Sequence, residues 1–216
     1  MITLIPYRFL KPLLFLMLII QAFFIPTEMM AQDDNNEVAV SYKRPEHKVY
    51  KSISAALLQP DSVFILELKG KKLTTVPEEV YRFPNLLVLD LSKNKITELP
   101  ADISKLKSLE ELNLASNKIK SLPSGIGDLK GLKMLSLNRN LITELPASIG
   151  NMSSLQVLEL WDTELSTLPD EIRNLSNLRT VELRGVLFTD EQQKHFREML
   201  PGVRLYMSPA CDCKVN

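Results

Sequence analysis

The sequence predicts an α/β solenoid: a horseshoe with short parallel strands on its concave face, short helical or 3-10 turns on its convex face and a helical cap at each end. Three observations predict it. The chain repeats itself with a period of 23 residues over most of its length. Each copy alternates apolar and polar residues over a few positions, as a strand with one buried face does. Each copy then carries a proline followed by apolar residues three and six positions further on, which suits a short helical turn packed inward.

Five segments align without gaps, 63–85, 86–108, 109–131, 132–154 and 155–177, and a degenerate sixth opens at Leu178. In the third segment Leu112 and Leu114 flank the polar Asn113, so the two leucines share the buried face of a strand. One unit alone cannot bury its leucines, so neighbouring units must stack and pair these strands in parallel. Asn94, Asn117 and Asn140 recur at the bend after the strand, where a buried amide satisfies backbone groups that the turning chain leaves unpaired. Thr163 can take over part of that role, whereas Lys71 and Val186, in the outermost units, cannot. The return half of each unit opens at Pro77, Pro100, Pro123, Pro146 and Pro169, with pairs such as Ile126 and Leu129 behind.

Both ends of a stack need covers, because its last layer would otherwise expose leucines. Residues 51–62 are expected to supply an N-terminal helical cap, with Ile53, Ala56 and Leu57 on one face of a helix over 52–58 and Pro60 as its stop. After the repeats and their closing helix, which occupy 63–200, comes a closing strand and tail over 201–216. Thr189 is placed to N-cap a helix over 190–200 that buries Phe196 and Leu200, and Pro201 and Gly202 separate it from a strand over 203–206. Residues 32–50 are polar and read as a flexible arm.

The opening segment, 1–31, reads as an export signal. Arg8 and Lys11 give a positive start, residues 13–25 an unbroken apolar run, and Ala31 a small residue suited to cleavage. The apolar run is shorter than the roughly 20 residues that span a bilayer, so a removed signal peptide is the first reading and an uncleaved anchor the alternative. The expectation is a secreted or periplasmic protein with no stable membrane insertion after cleavage.

The series Leu109, Leu112, Leu114, Asn117 and Ile119, followed by Leu122-Pro123 and Ile126, resembles the leucine-rich-repeat family in its 23-residue, Leu-Pro-x-x-Ile form. That form is found in bacterial, plant and Ras-pathway scaffold members. The resemblance covers residues 63 to about 207, and the helix after the last unit resembles the closing unit of many such proteins. It implies a module that binds other molecules.

Composition and chemistry agree with a binding module. Lys plus Arg and Asp plus Glu both number 26, so no overall field draws in nucleic acid or an anionic membrane, and no nucleic-acid partner is expected. Catalysis needs convergent nucleophiles, bases or metal ligands, and these are scarce. The two histidines, His47 in the arm and His195 on the closing helix, read as ordinary surface residues. Gly125 and Gly127 fall in the convex part of a repeat and form no phosphate-binding loop. No enzyme activity, cofactor or metal is expected. Cys211 and Cys213 leave three fates open: a local disulfide, a bridge to a second chain, or free thiols able to take a soft metal.

Alternation along the strands dictates which residues face out of the concave sheet. One column contains Glu111, Met134 and Val157, between Val88 and Thr180. The next contains Ser136, Glu159 and Glu182. The third contains Asn138, Trp161 and Arg184, with Arg139 beside it. These residues are the candidate partner-binding surface, an apolar stripe beside an acidic one with the chain's single tryptophan and arginines available. Trp161 is the best single anchor on that face; the competing reading is that Arg184 stacks on the indole and covers it. The first functional reading is an exported module that binds a protein partner on this face. A carbohydrate or cell-envelope binder is the alternative.

Overall fold

The structure, a computed structural model, describes residues 46–211. Among the described residues, eight strands form a single parallel sheet in sequential order. They are β1 (Val49–Tyr50), β2 (Ile65–Glu67), β3 (Val88–Asp90), β4 (Glu111–Asn113), β5 (Met134–Ser136), β6 (Val157–Glu159), β7 (Thr180–Leu183) and β8 (Arg204–Met207). From β2 to β7 the register advances by one repeat unit at each step, Ile65 facing Val88, then Glu111, Met134, Val157 and Thr180. The repeat read in the sequence is therefore the register of the sheet.

Each strand is short because only its two flanking leucines need burial before the chain turns. Leu112 and Leu114 are almost fully buried, as are their counterparts Leu89 and Leu91, Leu135 and Leu137, Leu158 and Leu160. Burying one such side chain is worth about 1.5–3 kcal/mol, so stacking supplies what a lone unit lacks. The return half is a short 3-10 turn in every regular unit: Glu78–Arg82, Ala101–Lys105, Ser124–Asp128, Ala147–Asn151 and Asp170–Asn174. In each, the preceding proline is the N-cap in extended conformation, its ring fixing the entry angle. Val80, Ile103, Ile126, Ile149 and Ile172 point inward from these turns and are buried completely.

The N-terminal end departs from expectation. Residues 46–50, assigned to a flexible arm, are built onto the repeats: Val49 and Tyr50 pair with Ile65 and Leu66, Tyr50 is buried, and the His47 ring stacks on Phe64 at 4.3 Å. So short a strand has no periodicity to read, and nothing in the sequence marks it. The rest of the arm, the signal segment at 1–31 and Cys213 lie outside the described residues.

The first helix, α1 (Ile53–Ala56), is a single turn and falls short of the expected span 52–58. Ser52 caps it by accepting from the Ala55 N–H, but Leu58 is 81% exposed and the chain enters a 3-10 turn at Pro60–Ser62, so the apolar stripe ends early. The second helix, α2 (Asp190–Met199), begins with a capping box in which Thr189 and Gln192 satisfy each other's backbone N–H groups, and its Phe196 meets Phe188 edge-on at 4.9 Å. The last strand, expected over 203–206, occupies Arg204–Met207.

Candidate partner-binding face

The concave face rests on a ladder of buried amides. Asn117 donates from Nδ2 to the carbonyls of Leu91 and Leu114 at 3.0 and 2.9 Å, while its Oδ1 accepts from the Ile96 N–H at 3.0 Å. Asn94 and Asn140 repeat the arrangement one unit to either side. Thr163 keeps one bond, from Oγ1 to the Leu160 carbonyl at 2.7 Å. Lys71 is exposed and Val186 is buried as an apolar side chain.

The residue before each ladder position is held in the left-handed region: Lys93, Ser116, Arg139 and Asp162 have φ of 56°, 57°, 53° and 56°, with glycines at the outer equivalents, Gly70 and Gly185. Each of the four donates its N–H to a carbonyl of the next unit. This conformation swings the chain out of the strand and aims Arg139 and Asp162 toward the rim.

A polar network closes the C-terminal half of the face. Asn138 donates to Glu159 Oε2 at 2.9 Å and to Ser136 Oγ at 3.2 Å, and its Oδ1 accepts from the Trp161 N–H at 2.9 Å. Arg184 grips Glu182 with Nε at 2.8 Å and Nη2 at 2.6 Å. That bonding raises the Arg184 pKa above its ordinary value, so the guanidinium remains charged throughout the working range. The Glu182 side chain is only 3% exposed, and a carboxylate so placed requires such a partner.

The register brings the candidate residues into the expected columns, but most are not open to solvent. Glu111, Met134, Ser136, Asn138, Val157, Glu159 and Glu182 are all buried. Asn138 and Glu159 are bonded between layers, Ser136 and Glu182 are bonded within their own, and adjacent strands lie only about 4.8 Å apart, so side chains shield one another. Arg139 is exposed, and Trp161 and Arg184 are half-buried.

The arginine that stacks on the indole is Arg139 and not Arg184. Its guanidinium lies 4.3 Å from the Trp161 ring centre and 3.7 Å from Asp162, whereas Arg184 leans over Tyr206 at 5.7 Å. The left-handed turn at Arg139 and the Asp162 anchor decide this, since Arg184 is already committed to Glu182. Tyr206 is thus a member of the cluster that sequence reasoning missed. Tyr206 pairs in register with Glu182, one position out of phase with the repeat.

His195 is exposed on α2. Among the described residues, no group of three or more His, Cys, Asp or Glu is placed to hold a metal ion, and no helix is long and apolar enough to cross a membrane. Cys211 takes part in a disulfide.

The stacked repeat layers, the asparagine ladder and the single parallel sheet define a leucine-rich-repeat protein. The family description "Leucine-rich repeat region" matches residues 63–204, and the chain belongs to that family. Among solved structures, it is similar to an internalin of Listeria monocytogenes, with 17% identity and a TM-score of 0.55, over 76% of this chain and 54% of that one. It is also similar to a leucine-rich-repeat protein of Leptospira interrogans, with 25% identity and a TM-score of 0.49, over 74% of this chain and 54% of that one. The chain spans about half the length of each. No curated protein matches it. Fold and family together support a protein–protein interaction module.

Proposed function

We propose that this protein, after export through its N-terminal signal segment, binds a protein partner on the C-terminal half of its concave face. The observation that carries the reading is the cluster at the strand ends: Trp161 half-buried beneath the Arg139 guanidinium, with the Arg184–Glu182 pair and Tyr206 on the adjacent strands. Tryptophan, tyrosine and arginine are the residues from which interface anchors are most often made. Arg139 is the more exposed of the two arginines in this arrangement. Its side chain is 54% exposed and held at 3.7 Å by a similarly open Asp162, so a partner's carboxylate or aromatic ring can displace that contact at little cost.

Affinity capture with the chain from Gln32 onward, followed by titration of the captured partner, tests the site. Trp161→Ala is expected to weaken binding by at least tenfold, equivalent to about 1.4 kcal/mol. Its effect on stability should stay near the roughly 0.5–1 kcal/mol of an exposed cation–π contact. Unchanged binding in both Trp161→Ala and Arg184→Ala would place the partner elsewhere. Export is tested separately by N-terminal sequencing of secreted material, where a start near Gln32 is expected and an intact Met1 in a soluble cytoplasmic pool overturns it.

A further inference from the structure

The neutral charge of the whole chain conceals a local imbalance at the edge where the strands end. In the four turns covering 69–74, 92–97, 115–120 and 138–143 there are eight basic residues and no acidic one, while the fifth turn, 161–166, carries Asp162 and Glu164 and no base. The first turn contributes Lys69, Lys71 and Lys72, and the second Lys93 and Lys95. Lys118 and Lys120 follow on the third, and Arg139 closes the row on the fourth. All eight are exposed.

Backbone hydrogen bonds hold the turns in register, from Gly70 to Ser92, Lys93 to Ala115 and Ser116 to Asn138 on one side, and from Lys95 to Leu73 and Lys118 to Ile96 on the other. The residues that carry the cations are therefore fixed by their backbone in successive layers, in a row about 14 Å long at about 4.8 Å per layer. Among the described residues only Arg139 of the eight lies within ion-pair distance of a carboxylate. Glu98 and Glu144 follow one position beyond these windows and pair with none of the lysines.

We propose that this lysine edge is a second binding surface, and that it takes a linear anionic polysaccharide. A row of like charges held a layer apart is costly to leave uncompensated and suits a ligand whose own charges repeat along a line. The surroundings select the polymer. Thr74, Thr97 and Thr143 stand exposed along the row and offer hydroxyls to sugar hydroxyls and acidic groups. The four turns contain no aromatic residue on which a nucleic-acid base could stack. On the three lysine-bearing turns no large apolar side chain is exposed that could enter a bilayer or receive one from a peptide.

The test measures binding of the chain from Gln32 onward to heparin, polygalacturonate and neutral dextran, and to phosphatidylglycerol vesicles, single-stranded DNA and polyglutamate, at two salt concentrations. Expected are binding to heparin or polygalacturonate that weakens as salt rises, and no binding to dextran. The heparin and polygalacturonate arms separate sulfate from carboxylate as the recognised group. Lys95→Glu with Lys118→Glu should lower that affinity at least tenfold and flatten its salt dependence. Lys105→Glu with Lys107→Glu, the same charge change away from the row, should alter it less than twofold. Thermal melts of both double variants establish that they fold. Failure of both anionic glycans to bind, equal loss in the two variants, equal binding of dextran, or tighter binding of vesicles, DNA or polyglutamate overturns the proposal.

Discussion

Asn117 ties its own turn to the one before it through two short hydrogen bonds and braces its own bend through a third, and no other uncharged side chain of its size can both donate and accept at those positions. Asn117→Ala should therefore cost about 1–3 kcal/mol in urea melts, since buried carbonyls and an N–H lose their partner. Lys71→Ala, at the equivalent but exposed position, should leave the midpoint where it was. Equal sensitivity of the two would mean that the ladder does not hold the turns. These asparagines were legible in the sequence because their recurrence at the same position in three successive units has a single physical explanation. The partner of Trp161 was not. Counting along the period puts Arg184 beside the indole, but a left-handed backbone at Arg139 and the grip of Glu182 on Arg184 reverse the choice, and neither leaves a periodic trace.

The convex turns hold what composition could not reveal. Gly127 reads as part of the convex repeat and no more, yet a Cβ there, or on its counterpart Gly150, would collide with the backbone of the next turn, at the Ser148 and Glu171 carbonyls respectively. Hydrogen there lets adjacent 3-10 turns approach. Gly127→Ala should thus destabilise by about 1–3 kcal/mol, as overpacking does. Gly131→Ala, whose added atom finds only ordinary contact at 3.5 Å from the Leu109 carbonyl, should be far milder by thermal melting.

Two units earlier in the same series stands Tyr81. Its hydroxyl is buried without a hydrogen-bond partner among the described residues, and burial, with Asp102 and Glu78 nearby, pushes its pKa up to about 12 from 10.0. The folded state holds this proton more tightly than the unfolded chain. Stability is therefore complete below pH 10 and declines as pH rises from there toward about 12. Tyr81→Phe should remove that part of the alkaline decline and leave neutral stability equal or better. An identical alkaline profile in the variant would assign the decline to other groups.

At the scale of the whole molecule, stability approximates a sum over layers and the contacts between them. The ladder thins toward one end, from three or more bonds at Asn140 to one at Thr163. Hydrogen exchange should accordingly find lower protection after residue 163 than in the third and fourth units. Thr163→Asn should narrow the difference, and uniform protection across the stack would contradict the layered view. The middle of the fold was readable because translation repeats every constraint unit after unit, so chance cannot imitate it. The ends were read only in part: Thr189 and the helix it caps were legible as a capping signal, but the strand at Val49–Tyr50 was not, because at the ends each constraint occurs once, the step from Val49 to its partner Ile65 being shorter than the period and the step from Thr180 to its partner Arg204 longer. Those two irregular steps have a further consequence. A structure generated by one repeated movement contains no instruction for its own length, and two copies meeting end to end could in principle continue as one filament. Here the outermost rungs belong to a different arithmetic from the rungs between them, a minimal strand at one end and a charged, alternately exposed one at the other. A second copy added beyond either of these described rungs would have to pair at a step other than the period, so the irregular steps work against indefinite continuation.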